Sequence, residues 1–218
     1  MIYTQAAIME TTVDQKHRDS PASATKRKIL AAAEELMPQK GFVSTSISEI
    51  ARRANVADSV IYRYFKSKED LLFSVPGEKL KQQLTLLNEH LEGIPDVLSQ
   101  LRKVIWLHLR FHDAHMGYAR LLLMECRSLK AYHSSPAYQS VREYTRIVSS
   151  ILSRGVREGR FRSDVPIRLI RDVVLGTLDM ETISCMTTGE IPSGVSDFEE
   201  IVNLVDSMVA SKGQDGGR

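Results

Sequence analysis

The stretch from Lys26 to Leu72 reads KRKILAAAEELMPQKGFVSTSISEIARRANVADSVIYRYFKSKEDLL. It predicts three short helices and the start of a fourth. Ile29, Ala32, Ala33, Leu36 and Met37 recur at helical spacing, and Lys40-Gly41 supplies a C-terminal stop signal. Ser46 then opens a second helix with Glu49 three residues on, the spacing of a capping box. Ile47, Ile50 and Ala51 form its apolar edge. Asn55 tolerates the left-handed backbone that a tight turn between helices needs. A third helix follows with Val60, Ile61, Tyr62, Arg63 and Tyr64, and Ser67 with Asp70 caps the fourth ahead of Leu71 and Leu72. Two short helices around a tight turn, the second opening on small and polar side chains, make a helix-turn-helix.

Around this segment the sequence predicts an all-α chain: an N-terminal three-helix helix-turn-helix domain and a C-terminal helical domain. The expected boundaries are an arm over 1–22, the DNA-binding head over 23–72, the second domain over 73–211 and a polar tail over 212–218. The fourth helix continues through Phe73, Leu80, Leu84, Leu87 and Leu91, with an interruption expected at Pro76-Gly77. Asp96 caps a fifth helix running to about His115. A sixth is expected from Gly117 to about Ser128, a seventh from Ser135-Pro136 to near Gly159, an eighth from about Val165 to Met186 and a ninth from Asp197 to Ser211.

Charge points the same way. The chain of 218 residues carries a formal net charge of +2. Nine Lys or Arg against six Asp or Glu lie between Ser20 and Val75, so the positive excess sits on the head. That excess is modest, and it favours tight DNA binding when two heads act together. Lys16, His17 and Arg18 extend it into the arm. Cys126 and Cys185 form no metal-ligand spacing and fit a reduced, cytoplasmic protein. No apolar run approaches the roughly 20 residues of a membrane span, and no signature of a catalytic triad, phosphate loop or metal enzyme is present, so an enzyme is not expected.

The matched residues Ile29-Leu30, Gly41-Phe42, Thr45-Ser46, Ile50-Ala51, Val56, Ile61-Tyr62, Tyr64-Phe65 and Ser67-Lys68-Glu69-x-Leu71 occur in order and without a gap. In them the chain resembles the TetR family of one-component bacterial regulators. The resemblance implies a homodimer on palindromic double-stranded operator DNA, with Tyr62 contacting phosphate. By position, Thr45, Ser46 and Lys68 are candidate phosphate contacts at helix starts. Ala57, Asp58, Ser59, Val60 and Arg63 can face base edges, and Lys26 can contact the DNA backbone. Asp58 and Ala57 depart from the family pattern. Asp58 either accepts a hydrogen bond from cytosine or caps its helix.

In the second domain, Val97, Leu101, Ile105, His108, His112 and His115 fall on one face of the fifth helix, flanked by Phe111. Trp106 points the other way, among Arg102, Lys103 and Arg110. Three readings of the histidines stand: interior hydrogen-bonded side chains, a pocket for a ligand's polar head, or a metal site of His108, His112 and His115. No cofactor is called for. A second, scattered likeness runs from Leu121-Leu122-Leu123-Met124-Glu125 through Phe161 to Gly176-Thr177-Leu178-Asp179. It resembles the acyl-CoA-responsive fatty-acid-degradation regulators within the family and implies a small hydrophobic effector. Leu101, Ile105, His108, Phe111, His112, Met124, Thr177 and Glu181 are the candidate effector contacts. The apolar content of the last two helices leaves two readings, packing on their own domain or a dimer in which two helices from each chain make a four-helix bundle. The TetR resemblance implies the second, with a second domain that binds a ligand and dimerises.

Overall fold

The computed structural model describes residues 21–188 and 196–210. The arm, the 189–194 loop and the 212–218 tail of the sequence reading lie outside these residues, apart from the arm's last two. The described residues form α1 (Pro21–Lys40), α2 (Ile47–Ala54), α3 (Asp58–Tyr64), α4 (Lys68–Leu91), α5 (Val97–Ala114), α6 (Met116–Arg120), α7 (Pro136–Arg157), α8 (Ile167–Thr188) and α9 (Ser196–Val209). Between α6 and α7 the chain makes a π-helical turn over Leu121–Glu125 and two 3₁₀ turns. None of the described helices is long and apolar enough to cross a membrane.

The local signals act as expected. Ser46 accepts from the backbone of Glu49 while the Glu49 carboxylate reaches back to the Ser46 N–H, closing the capping box. Asn55 sits at φ 54°, left-handed, and ends α2. Ser67, Asp96 and Ser135 each accept from the N–H three residues on, and Pro136 follows at the first position of α7. Gly159 at φ 69° releases the chain from α7.

Two expectations are corrected. α4 runs unbroken through Pro76 and Gly77, both buried. A Cβ on Gly77 would stand 3.5 Å from the backbone N of Ala137, an ordinary packing distance, at the place where α4 lies against α7. Packing, not local propensity, decides the continuity here. The sixth helix is not a continuous run to Ser128: it gives way after Arg120 to the wider π turn, which carries an extra residue per turn and resets the helical phase.

Two hydrophobic cores stack along α4. The first joins Ile29, Met37, Ile50, Ile61 and Phe65 of the head to Phe111, Tyr118, Leu121 and Cys126 of the second domain. The second gathers Leu87, Leu101, Ile105, Leu152, Val174 and Val205 from α4, α5, α7, α8 and α9. The expected boundary after residue 72 therefore falls inside one helix and one core. Lys79 on α4 also pairs with Glu34 on α1 across 3.2 Å. The head and the second domain share an interior.

Candidate DNA interface and effector site

α3 presents Asp58, Ser59, Tyr62 and Arg63 on an exposed face, with Ala57 beside them at the N-cap. Tyr62 is 57% exposed, large for an aromatic side chain and suited to an external contact. Val60 is half-buried and packs on the first core. Asp58 is not the cap residue of α3; its carboxylate accepts from the Ser48 hydroxyl on α2. This tie links α2 to α3 and occupies one oxygen of Asp58.

Thr45 moves from the expected phosphate contacts to a structural role. Its side chain is fully buried and its hydroxyl donates to the Gly41 carbonyl at 2.9 Å. Ser46 stays exposed at the N-terminus of α2. Lys68 donates to the Val43 carbonyl at 3.0 Å and lies 4.6 Å from the Phe42 ring centre, which pins the α1–α2 turn against α4. Lys26 sits 5.9 Å from the Phe65 ring centre at the edge of the head.

The face predicted on α5 is the buried one: Val97, Leu101, Ile105, His108 and His112 are all buried. Leu101 and Ile105 belong to the second core and Phe111 to the first. The two inner histidines sit where the cores meet. His112 Nδ1 lies 2.9 Å from the His108 carbonyl, so that nitrogen carries the ring proton and donates. His108 Nδ1 is 3.2 Å from the Tyr144 hydroxyl, and its Nε2 is 3.6 Å from the Asp179 carboxylate. Asp179 also receives Arg127 at 2.9 Å. The His112 ring stacks on Tyr118, and the Tyr118 hydroxyl donates to Gln83 Oε1 on α4 at 3.2 Å. Side chains from α4, α5, α6, α7 and α8 thus form one interior polar chain.

Burial, with His108 beside it, holds the pKa of His112 well below the ordinary histidine value. Burial pushes the Asp179 carboxyl up, but His108 and Arg127 outweigh it and bring the group below its usual range. Desolvation raises the hydroxyl of Tyr118 and that of Tyr144.

Three of the remaining site residues stand apart from this chain. Met124 is 47% exposed, because the π turn buries Leu121, Leu122 and Leu123 and rotates Met124 outward. Thr177 is half-buried and returns its hydroxyl to the Val173 carbonyl at 2.9 Å, on the outward side of α8. Glu181 is half-buried one turn further on. His115 is half-buried and packs on Phe111 at 4.6 Å, outside the inner pair. Among the described residues no three His, Cys, Asp or Glu are placed to hold a metal ion, so the metal reading of the histidines finds no support. The Lys103 ammonium lies over the Trp106 ring, 4.7 Å from its centre. Gln83, Tyr118, Tyr144, Arg127 and Ser48 were not singled out by sequence. Each is an ordinary polar residue whose role comes from a partner far along the chain.

Comparison with known proteins bears on this two-part arrangement. Residues 29–75 match the family of bacterial regulatory proteins, tetR family, and residues 95–180 match the tetracyclin repressor-like C-terminal domain. The chain is 30% identical over 157 residues to the fatty acid metabolism regulator protein of Bacillus subtilis, spanning 72% of this chain and 80% of that one. It is also similar to the solved structure of the regulator FadR from Bacillus subtilis in complex with stearoyl-CoA, with a TM-score of 0.78 and 27% identity over 84% of this chain and 98% of that one. The fatty acid degradation regulator FadR of Bacillus halodurans shares the fold, with a TM-score of 0.75 and 24% identity over 83% of this chain and 97% of that one. A helix-turn-helix head and a helical second domain, matched in order along one chain, carry the assignment: the protein belongs to the TetR family of bacterial regulators, DNA-binding transcriptional regulators built on a helix-turn-helix.

Proposed function

We propose that this protein is a repressor that binds a palindromic operator as a homodimer in the cytoplasm and is released by a long-chain acyl-CoA. The observation that carries the reading is the course of α4. It starts at the Ser67 cap beside α3, crosses the first core through Leu71, Leu72 and Leu80, and enters the second through Leu84 and Leu87. A ligand that parts the helices of the second core must therefore act on the helix that positions the DNA-reading head.

The effector class rests on the relatives, one of them a fatty acid metabolism regulator and one solved with stearoyl-CoA. The second core supports it here: Leu101 and Ile105 line an apolar interior next to the polar chain of His108 and His112, the composition of a small-molecule site. Dimerisation is supported by Leu169, Val173 and Met180, exposed apolar side chains four and seven residues apart along α8, with Gly176 between them and Leu204 exposed on α9. Two heads related by a two-fold axis would meet successive major grooves roughly 34 Å apart. Effector binding then shifts α4 and takes the heads off that spacing. A coupling of about 1–3 kcal/mol suffices for a useful switch. Light scattering of the protein, with operator binding followed during acyl-CoA titration, tests the reading. A monomer, or a dimer whose operator affinity acyl-CoA leaves unchanged, would contradict it.

A further inference from the structure

Native interiors leave few buried polar groups without a partner, and each such group costs about 1–3 kcal/mol. Here Gln83 Nε2, His108 Nε2 and His112 Nε2 have no hydrogen-bond partner among the described residues, and since His108 Nε2 faces the Asp179 carboxylate at 3.6 Å, Gln83 and His112 are left with nothing opposite. Their side chains are 3% and 2% exposed. Both belong to the same small assembly. The His112 ring stacks on Tyr118 with 5.4 Å between ring centres and 10° between planes, and the Tyr118 hydroxyl engages Gln83 Oε1.

The chemistry of the two free atoms follows from their bonded neighbours. His112 donates from Nδ1 to a backbone carbonyl, so the Nε2 of its neutral ring is a bare acceptor. Gln83 accepts through Oε1, so its Nε2 is a pair of unused donors. The guanidinium of Arg127, the cation of this polar chain, is already held by Asp179. An anionic group entering here would meet a bare lone pair on His112 and gain no free positive charge. A group with one N–H and one C=O carries the partner that each atom lacks. A secondary amide is that group.

We propose that Gln83 and His112 form a site for a neutral secondary amide of the effector, Gln83 Nε2 donating to its carbonyl and His112 Nε2 accepting from its N–H. The proposal rests on the acyl-CoA reading, in which the thioester is followed by the amides of the pantetheine arm. It places one of those amides against α4, so that recognition and the lever share a residue.

The test compares S-dodecanoyl-N-acetylcysteamine with its ester isostere, in which the amide N–H is replaced by oxygen, by isothermal titration against the full-length protein. The amide is expected to bind about tenfold more tightly, the cost of leaving one buried acceptor unpaired. In Gln83→Met, which conserves volume, the amide ligand is expected to weaken by a similar factor with the thermal melt still cooperative. Equal affinities for amide and ester in the wild-type protein would overturn the site, whatever the variant does. If neither compound binds and dodecanoyl-CoA also fails to bind, the effector reading fails with it; if dodecanoyl-CoA binds while amide and ester stay equal, only the amide site fails.

Discussion

The hydroxyl of Tyr118 on α6 donates to the side-chain oxygen of Gln83 on α4 across 3.2 Å, with both side chains buried. This bond joins the interior polar chain of the second domain to the helix that begins beside the DNA-reading head.

Tyr62 stands exposed on α3 with no role in the core, and the role assigned to it is to hold the protein on the DNA backbone. Tyr62→Ala is expected to weaken binding about tenfold on every sequence alike, the size of a lost hydrogen bond to a charged phosphate. Selection of preferred sites from random DNA by wild type and variant checks this. A changed preference would show that Tyr62 reads bases.

Val173 lies at the centre of the exposed apolar stripe of α8. Val173→Arg is expected to produce a monomer in light scattering. Operator affinity should fall by on the order of a hundredfold, because two linked heads bind with avidity. A variant that stays dimeric would remove α8 from the interface.

Gly155 on α7 is packed under a ring. A Cβ there would fall 2.0 Å from Phe161 Cδ2, and Phe161 is buried in the second core. Gly155→Ala is expected to cost about 1–3 kcal/mol through overpacking. At about 2–4 °C per kcal/mol for a chain of this size, the melting temperature should drop measurably. An unchanged melt would mean that Phe161 moves without cost.

His112 makes stability depend on pH. The folded ring resists protonation because it is buried and His108 lies beside it, whereas the unfolded ring protonates near pH 6.5. Its contribution is complete above that value. It falls as the pH drops below it, by about 1.4 kcal/mol per pH unit for one such group. Asp179, held below its ordinary value of 3.8, loses its contribution only at lower pH, whereas His115, half-buried and also held below the ordinary histidine value, contributes between pH 6.5 and 5, so the His112 share is the difference between wild type and variant. Denaturant unfolding across this window should show a flatter pH dependence for His112→Asn than for wild type. Equal slopes would rule out His112 as the source.

The head was legible because its signals are local. Ser46 and Glu49, Ser67 and Asp70, and Asn55 each act within a few residues, and the structure has them as caps and a left-handed turn. Tertiary effects account for the departures. Pro76-Gly77 looked like a break, yet both residues are buried inside a continuous α4. Met124 entered the candidate contacts through the likeness over Leu121–Glu125, where the π turn leaves its side chain exposed. The ties between Asp179 and Arg127 and between Tyr118 and Gln83 span 52 and 35 residues, so no spacing rule exposes them. Periodicity placed His108 and His112 inside, but it could not show that one nitrogen of His112 is engaged and the other bare.

The most direct measurement follows an operator fragment, selected in vitro and labelled for fluorescence anisotropy, bound by the dimer and titrated with stearoyl-CoA. The expected result is full release by stearoyl-CoA and none by free CoA. Binding that persists undiminished at saturating stearoyl-CoA would contradict an effector acting through α4.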